Sequence, residues 1–216
     1  MNENANRIEA FSDGVFAIAI TLLILEIKVP APARDAAGLW AGLLALWPSY
    51  LAFLFSFVVI LIMWVNHHEL LRMVSGVNYP FLFANGMLLL CVTFVPFPTA
   101  VLAAHLSSPD ARAAVAFYCA TMFVSSLMWN ALFVTIVRYG LLRSSVSAET
   151  VARVRRAYYG GVLVYLAATL LAFVQPWLGL AVNVSLWVLW IRLGYRAVRT
   201  AGSSDTVTHI EAPHLE

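Results

Sequence analysis

A chain of 216 residues that is 62% hydrophobic and 11% charged differs from a soluble domain, in which about 25% of residues are charged. This composition excludes an ordinary soluble protein and predicts an all-α integral membrane protein, surrounded by a lipid bilayer. The formal net charge of +2 is too small to indicate a nucleic-acid partner.

The first predicted element is an apolar helix from Phe11 to Val29, which follows a short charged segment. At about 100° per residue, one narrow face of this helix is almost purely apolar, and Asp13 and Ile20 lie on the far side. We call this face the apolar stripe; it comprises Phe11, Gly14, Ile18, Leu22, Leu25 and Val29, with Thr21 at its flank. The small residues Gly14, Ala17 and Ala19 border the stripe. They allow a neighbouring helix to come close, so this helix can pack against copies of itself.

A competing interpretation makes this first helix a secretory signal peptide. The stretch from Gly14 to Leu25 has the length of an apolar signal core, and residues 31–33 loosely resemble a cleavage site. Acidic residues at Glu3, Glu9 and Asp13 argue against it, because a signal peptide begins with a basic region.

Runs without Asp, Glu, Lys or Arg mark the further spans, since a helix needs about 20 apolar residues to cross a bilayer. These runs are 36–68, 73–109, 113–137 and 157–191. The last run is long enough for two crossings, divided at Gln175-Pro176 because proline ends a helix. The predicted helices lie within Leu39–Val65, Pro80–Ala104, Ala114–Val137, Ala157–Val174 and Trp177–Tyr195. With the first helix, six transmembrane helices are expected.

The basic residues predict that both termini are cytoplasmic, because segments rich in Lys and Arg stay on that side of a membrane. In this orientation the outside holds only Lys28, Arg34 and Arg112 of the 13 basic residues. We expect residues 1–201 to form one six-helix membrane domain and residues 202–216 to form a polar, disordered tail.

Motifs for common enzyme chemistry are missing from the sequence, which has no Gly-rich phosphate loop, nucleophile elbow or Cys/His metal cluster. Neither an enzyme nor a bound cofactor is therefore expected. Cys91 and Cys119 fall midway along apolar segments, which predicts small buried hydrophobes rather than a disulfide. His67 and His68 are adjacent and point about 100° apart on a helix, so a shared metal ion is not expected.

Polar and ionisable residues gather at the predicted cytoplasmic end of the bundle. Asp13 lies about one turn inside the first helix, level with the histidine pair at the end of the second. Such groups are costly at membrane depth and are usually paired or functional. They are either a hydrogen-bonded network that fixes helix packing or a proton-sensing or gating element, since histidine changes charge near neutral pH. The predicted network comprises Arg7, Phe11, Ser12, Asp13, Trp64, His67, His68 and Asn85.

The first helix carries a long motif, Arg-x-x-x-Phe-Ser-Asp-Gly-Val beginning at Arg7, followed by Ala-Ile-x-x-Thr-Leu-Leu-x-Leu beginning at Ala17. This motif resembles the first-helix signature of the transmembrane protein 175 family of potassium channels, in its short prokaryotic form. The similarity continues into Trp64, Asn66, His67 and His68, and into Phe83-Ala84-Asn85-Gly86 with Pro96-Phe97-Pro98. It covers about the first half of the chain, and the second half matches only in length and hydropathy.

The resemblance implies an unconventional homotetrameric cation channel that conducts K⁺ passively across the cell's inner (plasma) membrane. In the family the first helices surround the tetramer axis, so Ile18, Leu22 and Leu25 are expected to form pore rings, with the Thr21 hydroxyl near the narrowest region. Such an apolar constriction can gate by dewetting. The chain has no Thr-Val-Gly-Tyr-Gly loop, so a carbonyl filter is not expected.

Other functions stay open from the residues alone. In an average helical membrane protein an apolar stripe is a packing surface. A weakly selective cation or proton leak channel is an alternative, because an aliphatic ring has few groups that distinguish K⁺ from Na⁺. A proton-coupled transporter with Asp13 and the histidines as relay is the alternative from another class, although no span carries a carboxylate at the membrane midplane.

Overall fold

The computed structural model describes residues 3–30 and 38–207. Within these ranges the regular structure is helical, apart from one isolated antiparallel bridge between Val74 and Leu142. The helices are α1 (Glu3–Leu22), which continues into a 3₁₀ turn (Leu23–Glu26), α2 (Gly38–Ala45), α3 (Trp47–Arg72), α4 (Tyr79–Phe94), α5 (Pro96–His105), α6 (Ala111–Arg138), α7 (Ala148–Val174) and α8 (Pro176–Val207).

Five helical stretches among the described residues are long and apolar enough to cross a membrane. They are Asn6–Glu26, Trp47–Arg72, Tyr79–His105, Ala111–Arg138 and Ala148–Val174. The apolar part of α8, Pro176–Arg192, is shorter. The all-helical membrane architecture is therefore confirmed with five candidate spans, and the sixth crossing stays a prediction.

The first helix differs from the prediction at its end. The α-helix stops at Leu22 and a 3₁₀ turn follows, so a single α-helix through Val29 is wrong. Pro30 disfavours helical backbone at Val29, which is one reason that the helix does not reach this residue; the chain is already extended at Ile27. Residues three apart eclipse each other in a 3₁₀ turn, so Leu25 stays on the face of Leu22.

Other helix limits also differ from the sequence-based ranges. The second predicted helix, within Leu39–Val65, is divided at Leu46 into α2 and α3, and α3 extends past Val65 to Arg72. The third predicted helix is divided at Val95, before Pro96, into α4 and α5. The break between α7 and α8 at Gln175 is confirmed. Helix α8 continues to Val207, inside the predicted tail. The rest of that tail, the possible cleavage site and Arg34 lie outside the described residues.

Helix α1 packs against α3 and α4, and α6 contacts α4, α5, α7 and α8. Two loops meet at one end of the bundle: the Ser75 amide donates to the Leu141 carbonyl (2.7 Å), and the Arg143 amide donates to the Met73 carbonyl (2.9 Å). The loops after α3 and after α6 therefore share one side, as the predicted orientation requires.

Three buried hydroxyls connect α3, α5 and α6 in the interior. Thr99 donates its proton to the Val95 carbonyl (2.8 Å). Ser56 must therefore donate to Thr99 Oγ1 (2.6 Å), and Tyr118 donates to Ser56 Oγ (3.0 Å). This chain of hydrogen bonds satisfies each hydroxyl where water cannot, and it fixes the relative positions of the three helices.

Candidate functional site

The apolar stripe of α1 is uncovered in a single chain. Ile18 and Leu25 are each 60% exposed, and Leu22 is 42% exposed. The opposite face of the helix is packed into the bundle; it consists of Ser12, Phe16, Ala19 and Leu23, all buried. The rotation of α1 about its axis is therefore defined, and its stripe is available to lipid or to another copy of the chain.

The small residues that were predicted to border the stripe divide between the two faces. A methyl group added at Gly14 would touch nothing within 4 Å, and Ala17 is exposed. Ala19, in contrast, is 1% exposed and belongs to the packed face. The prediction that Ala19 borders the stripe is wrong, because Ala19 belongs to the row of buried residues on the packed face, Ser12, Phe16, Ala19 and Leu23.

The Thr21 side chain is exposed on the same side as Ile18. Its hydroxyl lies 3.0 Å from the Ala17 carbonyl and 2.9 Å from the Ile18 carbonyl, to which it donates its proton. The hydroxyl oxygen keeps lone pairs for an external donor or cation. Thr21 is thus the polar group next to an otherwise aliphatic surface.

A buried polar network holds α1 against α3 and α4. Asn85 Nδ2 donates to Ser12 Oγ (3.1 Å), and Asn85 Oδ1 lies 2.8 Å from His67 Nε2. Because Oδ1 can only accept, the proton of His67 lies on Nε2. All three side chains are buried. Asn85, on α4, therefore provides hydrogen-bond partners for Ser12 on α1 and His67 on α3.

A second, more exposed pair of contacts joins α1 and α3. Trp64 Nε1 donates to Asp13 Oδ1 (2.9 Å), and His68 Nδ1 lies 2.9 Å from Glu9 Oε1. Asp13 and Glu9 are four residues apart, as are Trp64 and His68. Side chains four residues apart share a helix face. The two contacts therefore lie one turn apart along α1 and α3, which run antiparallel to each other.

The structure separates some of the residues that the sequence grouped with Asp13. Among the described residues, no hydrogen bond or ion pair joins Asp13 to Arg7 or His67. Phe11 is exposed and lines a groove of about 580 Å³ together with Arg7 and Tyr79. Asp13 is therefore not the centre of the buried network, a position that Asn85 occupies.

Sequence reasoning missed three residues of this region. Glu9 pairs with His68, and the aromatic rings of Phe16 and Trp129 lie 5.3 and 6.1 Å from the His67 ring. The spacing of Glu9 from Asp13 contained the signal for the ion pair. Trp129 comes from α6, and no local pattern indicates that it reaches His67.

The arrangement orients α1 against α3 and α4. In the part of the chain that the structure describes, no three His, Cys, Asp or Glu side chains come together to hold a metal ion. The network fixes one face of α1, and the aliphatic face opposite it carries a single hydroxyl at its flank. This combination suits a surface that faces an assembly axis.

Comparison with known proteins identifies relatives among ion channels. The family model described as "Endosomal/lysosomal potassium channel TMEM175" matches residues 7–96. A Chamaesiphon minutus protein named a potassium channel is 48% identical over 180 residues, which cover 82% of this chain and 88% of that protein. A Bos taurus protein named an endosomal/lysosomal proton channel, TMEM175, is 31% identical over 176 residues, but these cover only 36% of its length.

The fold is also similar to that of a solved channel. The crystal structure of a lysosomal potassium-selective channel TMEM175 homologue from Chamaesiphon minutus superposes with a TM-score of 0.75. The two chains are 43% identical, and the match covers 91% of this chain and 99% of the other. The similarity therefore extends well past the N-terminal half that carries the motif.

Proposed function

The chain belongs to the TMEM175 family of channels, and from this premise we propose that it is a passive, potassium-selective channel of the cell's inner (plasma) membrane. The observation that supports this most is the exposed aliphatic face of α1 beside the packed face that the polar network holds. A relative that is 48% identical is named a potassium channel.

The conducting unit is proposed to be a homotetramer with six transmembrane helices in each chain and both termini in the cytoplasm. One copy of α1 presents a stripe but encloses no channel, so several copies must surround an axis, and closed cyclic symmetry is the usual solution. The exposed Gly14 and Ala17 leave space for close approach of neighbouring first helices.

The pore constriction is proposed to consist of rings of Ile18, Leu22 and Leu25, and Thr21 supplies a hydroxyl beside them. Four copies of each aliphatic side chain at one level exclude water when the ring is narrow and admit a hydrated ion when it widens. The polar network, including His67 and Asn85, acts as the scaffold that keeps these side chains turned toward the axis.

Proton conduction is the second candidate, because vertebrate relatives are named proton channels. A weakly selective cation leak is a variant of the channel proposal, since the constriction has only one hydroxyl per chain that could distinguish K⁺ from Na⁺. Transport coupled to a proton gradient is disfavoured, because such a transporter needs an acidic or broken-helix site near the membrane midplane and no predicted span carries a carboxylate there.

Purified protein in liposomes tests the function directly. The experiment starts from a K⁺ gradient balanced by Na⁺, with equal pH on the two sides. We expect a reversal potential close to the Nernst potential of K⁺, and this potential should not change when a pH gradient is imposed. A reversal potential that follows the pH gradient would establish the proton channel instead. The absence of any current without a coupled gradient would refute a channel.

A further inference from the structure

Helix α7 has one face that is packed into the bundle and one that is exposed along its length. Its buried row consists of Val154, Tyr158, Gly161, Tyr165, Ala168 and Ala172, and the helix packs against α6 and α8. On the opposite side Leu163, Leu170 and Phe173 are exposed. Because α1 packs against α3 and α4, this exposed side of α7 lies away from the proposed ion path.

Two arginines lie at one end of the exposed face. Arg155 and Arg156 are both exposed, and Tyr159 follows one turn deeper between them, four residues after the first and three after the second. Residues 157–174 contain no Asp, Glu, Lys or Arg. At 1.5 Å per residue they extend about 27 Å, close to the hydrocarbon thickness of a bilayer, roughly 30 Å. The two arginines therefore lie at the depth of the lipid phosphates.

The protein itself does not neutralise the positive charge at this end of α7. Between positions 138 and 156 the chain has five arginines and one carboxylate, that of Glu149. Glu149 Oε1 pairs with Arg153 Nη2 (3.1 Å). In the part of the chain that the structure describes, no ion pair involves Arg155 or Arg156. A phosphate is the anion that matches them, because a guanidinium binds phosphate oxygens through two parallel hydrogen bonds.

The arginines and the apolar side chains of this face fit the two parts of one lipid molecule. We propose that the exposed face of α7 binds an anionic phospholipid such as phosphatidylglycerol. Its phosphate lies between Arg155 and Arg156, where the Tyr159 hydroxyl can also donate a hydrogen bond, and its acyl chains follow Leu163 and Leu166. A second copy of the chain does not suit this face, because a two-fold contact in the membrane would bring the arginines of both copies together.

Lipid binding to the purified full-length protein in mild detergent tests the site. Native mass spectrometry compares phosphatidylglycerol with phosphatidylcholine that has identical acyl chains. We expect one phosphatidylglycerol per chain to bind about tenfold more tightly than phosphatidylcholine, whose choline group offsets the phosphate charge. The double variant Arg155→Gln, Arg156→Gln should weaken binding of this lipid by about 25-fold, since each basic residue near an anionic lipid surface contributes about fivefold.

Two controls separate a lipid site from a general effect of charge. Arg112→Gln removes an exposed arginine from the opposite end of the bundle and should leave the affinity for phosphatidylglycerol nearly unchanged. Inorganic phosphate at millimolar concentration should not raise the temperature of the thermal transition, whereas phosphatidylglycerol should, because only the lipid also contacts the apolar face. Equal binding of the two lipids, an equal loss with Arg112→Gln, or equal stabilisation by inorganic phosphate would overturn the proposal.

Discussion

Ile18→Ala is expected to raise the K⁺ current and to lower the preference for K⁺ over Na⁺. In the proposed tetramer, an ion that passes four Ile18 side chains must shed water where almost nothing replaces it. Shortening the side chain widens the ring and lets more of the hydration shell pass. A barrier lowered by about 1.4 kcal/mol raises a rate about tenfold, so we expect currents larger by about that factor in liposomes under K⁺ and Na⁺ gradients.

Other positions of the same helix serve as matched controls for this result. Leu22→Ala and Leu25→Ala should act in the same direction but more weakly. Leu23 is fully buried against the bundle, so Leu23→Ala should cost about 2–5 kcal/mol of stability without changing the reversal potential. Ile20, half-buried, should also affect stability more than permeation. Reversal potentials that respond to Leu23 as strongly as to Ile18 would refute the pore assignment.

Asn85→Ala is expected to be the most damaging change in the polar network. It removes both the acceptor for His67 Nε2–H and the donor to Ser12 Oγ. Each buried polar group left without a partner costs about 1–3 kcal/mol, so we expect a loss of about 2–6 kcal/mol. The measurable result is poor recovery of the tetramer from mild detergent and a thermal transition many degrees lower.

Asp13→Ala is the matched comparison. It removes one contact, from Trp64 Nε1, and both groups reach the surface. We expect a cost of about 1 kcal/mol or less, since exposed pairs contribute little, and recovery of the tetramer close to that of the unaltered protein. Assembly lost with Asp13→Ala but retained with Asn85→Ala would show that the scaffold has been assigned to the wrong side chain.

Much of the fold is predictable because the physical signals are local. Charge-free runs locate the spans, and the Gln175-Pro176 step locates the break between α7 and α8. The end of α1 was predicted less well, because a 3₁₀ turn keeps the apolar spacing of an α-helix for one more turn. The division at Val95 was missed although Pro96 stands in the sequence, since a proline-broken helix can still make a single crossing.

Which residues belong to the candidate site could be predicted better than which of them bond to each other. Ser12, Trp64, His67 and Asn85 were expected together and do lie in one region. Which group bonds to which depends on helix rotation and depth, and hydropathy does not define these within one turn. The aromatic contact between Trp129 and His67 joins segments far apart in the chain, so it follows only from the packed structure.

The most direct test of the central claim places a thiol on the exposed face of α1. Ile18→Cys, in a background with Cys91→Ser and Cys119→Ala, would put four thiols around the proposed ion path, and silver ions bind thiolates tightly. We predict that Ag⁺ blocks most of the K⁺ current of Ile18→Cys in liposomes and leaves Leu23→Cys unaffected. A current through Ile18→Cys that persists in Ag⁺, although mass measurement shows the thiols modified, would contradict the claim that this face lines the pore.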